Sequence, residues 1–163
     1  GRREPASALL NGALWVTGGQ DGVDLASTEL IHPDGTVTNG PSLPAARQGH
    51  CMVNLPDGRI LIIGAESPSS LKKNVLFFDP VDDSFTPGPS LLFDSAHAAC
   101  TLFYSPLHGN RPVVFVAKQT AEIYDYKQTS AWEQSKYHHN PPLDYKPLLN
   151  TYLLTIHRDR IYK

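Results

Sequence analysis

Cysteine, methionine and long apolar runs are all scarce in this chain. Its 163 residues include two cysteines and one methionine, which is too little cysteine for a small fold held together by disulfides. The two cysteines do not form a Cys-x-x-Cys zinc motif. No apolar run approaches the roughly 20 residues that cross a bilayer. These absences exclude a disulfide-scaffolded mini-protein and a zinc module, and they predict no membrane insertion.

Charge is low and mixed in sign, with 14 Lys and Arg against 16 Asp and Glu and a net charge of −2. A nucleic-acid partner would favour a basic patch, so we expect none. Motifs for a serine nucleophile, a phosphate-binding loop or paired catalytic carboxylates are also missing. The sequence therefore predicts no catalytic residue, no metal ligand and no cofactor, and a protein that is not an enzyme.

The start of the chain carries little sign of targeting. Its first residues lead only into a short apolar patch at 8–10, too short for the core of a secretory signal. No Asn-x-Ser/Thr glycosylation motif occurs. These features slightly favour a cytoplasmic protein and leave an extracellular one open. The missing initiating Met favours a fragment of a longer chain.

Glycine and proline punctuate the chain too often for helices to dominate. The 12 Gly and 14 Pro would break most helical stretches. Between them lie short β-branched and aromatic runs at 13–17, 59–63, 74–78, 112–116 and 121–124. Short strands at regular spacing predict an all-β sandwich, barrel or propeller.

An internal repeat of about 47 residues narrows that choice. The sequence Gly-Pro-Ser-Leu at 40–43 returns at 88–91, and the aromatic-Asp pair at 78–79 returns at 124–125. Within one period the pattern predicts strands at 49–55, 59–63, 74–78 and 84–87. Four antiparallel strands in roughly 40–50 residues form one blade of a β-propeller.

Three motifs resemble the kelch repeat. They are the strand ending in two glycines at 13–19, the aromatic-Asp-Pro strand at 75–80 and Trp132 in a fourth strand. The resemblance implies an incomplete β-propeller of kelch type over 1–163. The expected units are a partial first blade at 8–44, further blades at 45–93 and 94–140, and the start of a fourth at 146–163. The double glycine is lost at Gly64-Ala65 and Ala117-Lys118, so the repeats are divergent.

Three blades do not close a ring, and each end would leave an apolar face in water. Each exposed Val, Leu or Phe forgoes roughly 1.5–3 kcal/mol. We therefore expect the remaining blades to come from a longer chain or from self-association. The kelch resemblance further implies a non-catalytic scaffold that binds a protein partner through loops, here those at 20–27, 66–73 and 105–111. The candidate binding residues are Gln20, Asp21, Asp24, Glu66, Lys72, Lys73, His108 and Arg111.

Two other functions stay open. Galactose oxidase, a copper enzyme built on kelch-like blades, resembles this scaffold, although its copper ligands and modified tyrosine have no residue-by-residue counterpart here. A structural or adhesive kelch protein is the other alternative.

The histidines and cysteines have ordinary structural interpretations. His50 and His97 lie one period apart, and we interpret them as hydrogen-bonding residues at equivalent positions of two blades. His138 and His139 are expected in a solvated turn. Counted from the matched histidines, Cys51 and Cys100 fall on the same strand face. A disulfide needs Cα atoms within about 7 Å, which the spacing of neighbouring blades does not guarantee, so we expect free buried thiols. A disulfide would instead imply an oxidising compartment.

Overall fold

The computed structural model describes residues 1–118, 121–127 and 130–135, and it is all-β as expected. Three antiparallel four-stranded sheets follow one another along the chain. The first contains β1 (Ala6–Leu10), β2 (Ala13–Thr17), β3 (Thr28–Ile31) and β4 (Val37–Asn39). The second contains β5 (Cys51–Asn54), β6 (Ile60–Ile63), β7 (Val75–Asp79) and β8 (Ser84–Pro87). The third contains β9 (Ala99–Ser105), β10 (Arg111–Ala117), β11 (Ala121–Tyr124) and β12 (Glu133–Gln134).

Helical structure in the described residues is limited to two short 3₁₀ turns, Ser69–Leu71 and Pro106–His108. No helix in this part of the chain is long and apolar enough to cross a membrane. The first sheet begins at Ala6, two residues before the expected start of the first unit, and has all four strands. The expected fourth unit at 146–163 lies outside the described residues, as do His138 and His139.

Within each sheet every strand pairs with its neighbour in sequence, so the connections alternate between two ends of the sheets. The turn between β1 and β2 shows how compact they are: Asn11 and Gly12 both have positive φ, at 50° and 84°, as the tightest hairpins require. We call one end the hairpin rim; its turns are 11–12, 32–36, 55–59, 80–83 and 106–110. We call the other the junction rim; it carries the loops 18–27 and 64–74 and the sheet connections 40–50 and 88–98.

The second sheet is buried on both faces, which accounts for its uninterrupted apolar sequence. All residues of β6 are at most 1% exposed, as in strands covered on both sides. One face contributes Ile60, Ile62, Leu76 and Phe78 to a core shared with Ala8, Leu10 and Trp15 of the first sheet. The other contributes Leu61, Ile63, Val75 and Phe77 to a core shared with Val114, Val116 and Tyr124 of the third. The sheets therefore stack as layers, with the second in the middle.

The outer face of the first sheet carries an exposed apolar row. Leu9 pairs with Leu14, Leu14 with Ile31 and Ile31 with Val37, so the four side chains cross the sheet in one line. They are 65%, 40%, 37% and 58% exposed, respectively. By register, the corresponding row of the second sheet is Asn54, Ile60, Phe78 and Phe85. In that sheet the same face packs against the first sheet.

A disulfide joins Cys51 to Cys100, so the expectation of free thiols is wrong. The Cα atoms are 6.2 Å apart, within the range that a disulfide spans. Cys51 lies on the face of β5 that packs towards the third sheet, and Cys100 on the face of β9 that packs back towards the second. When the second and third sheets are aligned through their strand pairing, Ala99 takes the position of Cys51. Cys100 lies one residue further, and one residue turns a strand side chain to the opposite face.

Candidate functional site

The junction rim brings together loops from the first and second sheets. Ser67 Oγ donates a hydrogen bond to the Asp24 carboxylate, which joins loop 18–27 to loop 64–74. The backbone of Glu66 donates to the carbonyl of Gln48 at 2.8 Å, and Gln48 N donates to Ser67 O at 3.2 Å. These contacts hold loop 64–74 beside loop 18–27 and beside the connection 40–50 on a common surface.

The third sheet reaches the same surface through His97. Its Nε2 lies 3.6 Å from Glu66 Oε2, and its Nδ1 lies 3.8 Å from Glu4 Oε2. The three side chains are 40–48% exposed, so solvent and a partner can both reach them. The His97 N–H donates to the carbonyl of Gly49 at 3.0 Å, which fixes the segment to the entry of β5. We call Glu4, Glu66 and His97 the rim triad.

Most of the predicted binding residues lie on the junction rim. Asp24 and Glu66 take part in its contacts, while Asp21 is exposed beside them. Gln20 exchanges backbone hydrogen bonds with Arg3, both at 2.9 Å, so it anchors the chain that precedes β1. Loop 18–27 therefore presents Asp21 and Asp24 on a braced backbone.

The paired lysines face the connection between the second and third sheets. Lys73 Nζ donates to the Leu92 carbonyl at 2.7 Å. The Lys72 carbonyl accepts a hydrogen bond from Ser95 Oγ at 2.8 Å. Both residues thus help to tie loop 64–74 to segment 88–98, on the other side of that loop from Asp24.

His108 and Arg111 lie at the hairpin rim, at the opposite end of the sheets. The His108 Nδ1 and the Ser105 Oγ are 2.8 Å apart and share a hydrogen bond. Arg111 Nη2 lies 2.7 Å from Oδ2 of Asp125, a carboxylate whose side chain is only 2% exposed. The structure therefore does not bring this pair together with the other candidates, because the turn after β9 points away from the junction rim.

The sequence interpretation did not single out Glu4 and Ser67, and it gave His97 the same role as His50. In the structure the two histidines differ, since His50 is 6% exposed and His97 is an exposed member of the rim triad. His97 also has a left-handed φ of 53°. The repeat could place His97 near a sheet junction, but it carried no information on the carboxylates that meet it there.

A buried polar layer supports the junction rim. His50 Nε2 and Thr17 Oγ1 are 2.8 Å apart, and Arg47 donates to Asn74 Oδ1 at 3.0 Å. Gly18 fits between these residues because a Cβ there would lie 2.4 Å from the Arg47 carbonyl and 2.9 Å from His50 Cε1. Burial lowers the pKa of Arg47 to about 10. Burial, and then the Arg47 charge, lower the pKa of His50 to about 3.

Acidification is expected to destabilise the protein through His50. The folded pKa of about 3 lies below the ordinary value of 6.5, so below pH 6.5 the unfolded chain binds a proton that the folded chain does not. The His50 contribution is fully present above pH 6.5 and is lost as the pH falls towards 3. Between pH 6.5 and 4 we expect the free energy of unfolding to fall by about 3 kcal/mol from this group.

Urea unfolding at both pH values, followed by circular dichroism, measures this loss. His50→Gln should remove most of it. The control His32→Gln, at a half-exposed histidine of the hairpin rim, should keep the wild-type loss. An unchanged pH dependence in His50→Gln would assign the acid sensitivity to other groups.

The chain matches no protein-family model and no curated protein. Its fold is similar to a solved structure described as a novel fungal alcohol oxidase with catalytic diversity among the AA5 family, in complex with copper. The TM-score is 0.57 at 16% identity, over 71% of this chain and 27% of that one. The chain thus spans about a quarter of the length of that oxidase. At this identity the match concerns the fold alone.

Proposed function

We propose that this chain is part of a kelch-type β-propeller and binds a protein partner through its junction rim. The observation that carries the proposal is the convergence of Asp24, Glu66 and His97, each from a segment of a different sheet, on one solvent-facing surface. Stacked sheets hold such loops rigidly, which suits a binding surface. Neighbouring side chains are half-exposed and polar, as at the rim of many protein interfaces.

The stacking of the sheets supports the propeller. The second sheet receives the first and third sheets on opposite faces, as a blade receives its neighbours. The exposed apolar row at Leu9, Leu14, Ile31 and Val37 lies at the same register positions as a row of the second sheet. In the second sheet that row packs against the first sheet. A further blade covers the exposed row, supplied by a longer chain or by self-association.

The disulfide supports an oxidising compartment. Bridges such as Cys51–Cys100 form and persist in secreted proteins and are rare in the cytosol. This outweighs the slight preference for the cytoplasm that the absence of a signal segment suggested. The propeller therefore meets its partner outside the cytosol.

Paired charge reversals at the two rims test the binding surface. The junction variant carries Asp24→Arg and Glu66→Arg, and its matched control carries Asp34→Arg and Asp82→Arg on the hairpin rim. Asp34 and Asp82 each accept a hydrogen bond within their own turn, whereas Asp24 accepts one from Ser67 of the neighbouring loop. Affinities are therefore compared only once circular dichroism shows that both variants are folded. Both variants should show wild-type circular dichroism.

A protein recovered with the wild-type chain as bait is then titrated against each variant. We expect the junction variant to bind it at least tenfold more weakly and the control to bind it with wild-type affinity. Equal affinity of both variants for every recovered protein would contradict the proposal.

A second candidate is the propeller portion of a copper oxidase. The fold similarity to a copper-containing alcohol oxidase favours it. The donor set does not fit, because the described residues contain no group of three His, Cys, Asp or Glu side chains that could hold a metal ion. Stoichiometric copper retained after loading and dialysis, with a Cu(II) paramagnetic resonance spectrum, would favour the oxidase over the scaffold.

A further inference from the structure

We propose that the Cys51–Cys100 disulfide is a redox-operated latch that holds the rim triad together. When the latch is closed, the segment carrying His97 stays against Glu66 and Glu4. When a small-molecule thiol opens it, the residues that follow Ser95, including His97, separate from the entry of β5 and the rim triad comes apart. The latch regulates the binding surface of the proposed function and rests on it to that extent.

The disulfide lies directly beneath the contact that positions His97. Cys51 follows Gly49 by two residues, and Cys100 follows His97 by three. The hydrogen bond from His97 N–H to Gly49 O and the disulfide therefore close the same seam, where the innermost strands β5 and β9 meet. Breaking one of these links therefore weakens the other.

Two further polar links of the connection between the second and third sheets lie away from this seam. The Glu122 carboxylate, on β11, accepts the N–H groups of Leu92 and Phe93 at 2.8 and 2.9 Å. Trp132 Nε1 donates to Pro89 O at 2.9 Å beside β12. These contacts hold the connection 88–98 against β11 and Trp132, and the Ser95–Lys72 hydrogen bonds hold the same connection to loop 64–74. Loss of the disulfide therefore opens only the seam between Gly49 and Cys100, while the sheets remain stacked elsewhere.

Both carboxylate residues of the rim triad, Glu4 and Glu66, are held by backbone hydrogen bonds to residues at the seam. Glu66 is held by its own N–H, which donates to Gln48 O at 2.8 Å, one residue before Gly49. Gly49 N–H donates to the Glu4 carbonyl at 3.1 Å. Opening between Gly49 and His97 thus withdraws the imidazole from both carboxylates. Cys51 and Cys100 are half-buried residues at the edge of the core, and neither is sealed inside it.

The chemistry is thiol–disulfide exchange. The thiolate of a first small-molecule thiol attacks one sulfur, breaks the Cys51–Cys100 bond and forms a mixed disulfide. A second molecule of the thiol attacks the mixed disulfide and leaves as the oxidised small-molecule disulfide. Two electrons pass to the protein, and one proton ends on each cysteine thiol. Reoxidation by the same small-molecule disulfide reverses both steps.

Amide hydrogen exchange of the oxidised and dithiothreitol-reduced chain tests the latch without any partner. On reduction we expect exchange of peptides covering 47–51 and 95–101 to become at least tenfold faster. Peptides covering β1 and β2 should be accelerated at least tenfold less than these, because they respond only to the loss of global stability. An unchanged rate at the seam would overturn the proposal, and so would equal acceleration in the first sheet, because the disulfide would then act only on global stability.

A reciprocal test uses a variant that leaves both cysteines in place. Coupling between two sites acts in both directions, so weakening the triad must make the disulfide easier to reduce. In glutathione buffers we expect His97→Asn, which keeps a residue tolerant of left-handed φ, to raise the equilibrium constant for reduction at least threefold. The control His32→Asn, at the hairpin rim, should match the wild type.

Equal constants for His97→Asn and His32→Asn would show that the disulfide does not sense the triad, and would overturn the latch. Neither experiment involves a binding partner. The latch can therefore fail while the junction rim still binds protein, and it can stand if charge reversal at the rim proves harmless.

Discussion

Replacing Cys51 and Cys100 together by Ala is expected to lower the free energy of unfolding by about 4 kcal/mol. The bridge closes a loop with a sequence separation of 49 residues, and a cross-link of that span removes much of the conformational freedom of the unfolded chain. A loss of this size is a large share of the 5–15 kcal/mol typical of a domain. Urea unfolding of the oxidised chain and the double variant, followed by circular dichroism, measures the difference.

The reducing agent provides the internal control for this prediction. Dithiothreitol should lower the stability of the wild-type chain to about that of the double variant, and it should leave the variant itself unchanged. If the oxidised and reduced wild-type chains unfold at the same urea concentration, the bridge does not stabilise the fold.

Trp15→Ala is expected to destabilise the protein by about 3–5 kcal/mol. The ring is fully buried between the first and second sheets, with its centroid 4.6 Å from that of Phe78 and 6.5 Å from that of Phe85. Its Nε1 donates to Thr28 Oγ1 at 2.9 Å, and Thr28 in turn donates to the Pro41 carbonyl. The truncation leaves a cavity and removes a buried hydrogen bond at the same time.

Leu14→Ala is the matched control, because Leu14 is the adjacent residue on the opposite, outer face of β2 and is 40% exposed. We expect it to cost about 1 kcal/mol or less in this chain. Trp15→Phe keeps most of the apolar volume, loses the hydrogen bond and should fall between the two. Since fluorescence would change with the substitution itself, unfolding is followed by far-ultraviolet circular dichroism. Equal losses of unfolding free energy in Trp15→Ala and Leu14→Ala would contradict the observation that Trp15 faces the core and Leu14 faces outward.

Local sequence was sufficient to predict several of the strands. The run at 59–63 is apolar and β-branched, is bounded by an Asp-Gly turn and a glycine, and corresponds to β6. The periodic aromatic-Asp pairs at 78–79 and 124–125 likewise coincide with the ends of β7 and β11. Strand formation, turn chemistry and apolar patterning depend on neighbours in sequence, so they can be read before any fold is known.

The strand face on which a residue meets the neighbouring sheet could not be predicted in the same way. The repeat put Cys51 and Cys100 on one face because it aligned β5 with β9 through His50 and His97. That alignment differs by one residue from the alignment given by the pairing of β5 with β6 and of β9 with β10. A one-residue error is small in an alignment but reverses the direction of a side chain. The bridge therefore emerged only when the register of both strands was known.

The candidate site was only partly predictable. The sequence predicted binding residues such as Asp24 and Glu66 in loops that follow second strands, and the structure places both on the junction rim. His108 and Arg111 belong to a loop that follows a first strand, and the antiparallel order sends that loop to the other end. Glu4 lies before any strand and became part of the site only through its contact with His97.

The sequence by itself determined an all-β chain, its repeating four-strand pattern and the apolar character of the middle sheet, because each follows from local residue pattern and periodicity. Only the tertiary structure decided that Cys51 reaches Cys100, that His50 is buried while His97 is exposed, and that the rim triad forms. Those features join residues from different sheets. Their distances depend on strand register and on how the layers stack, which no local pattern specifies.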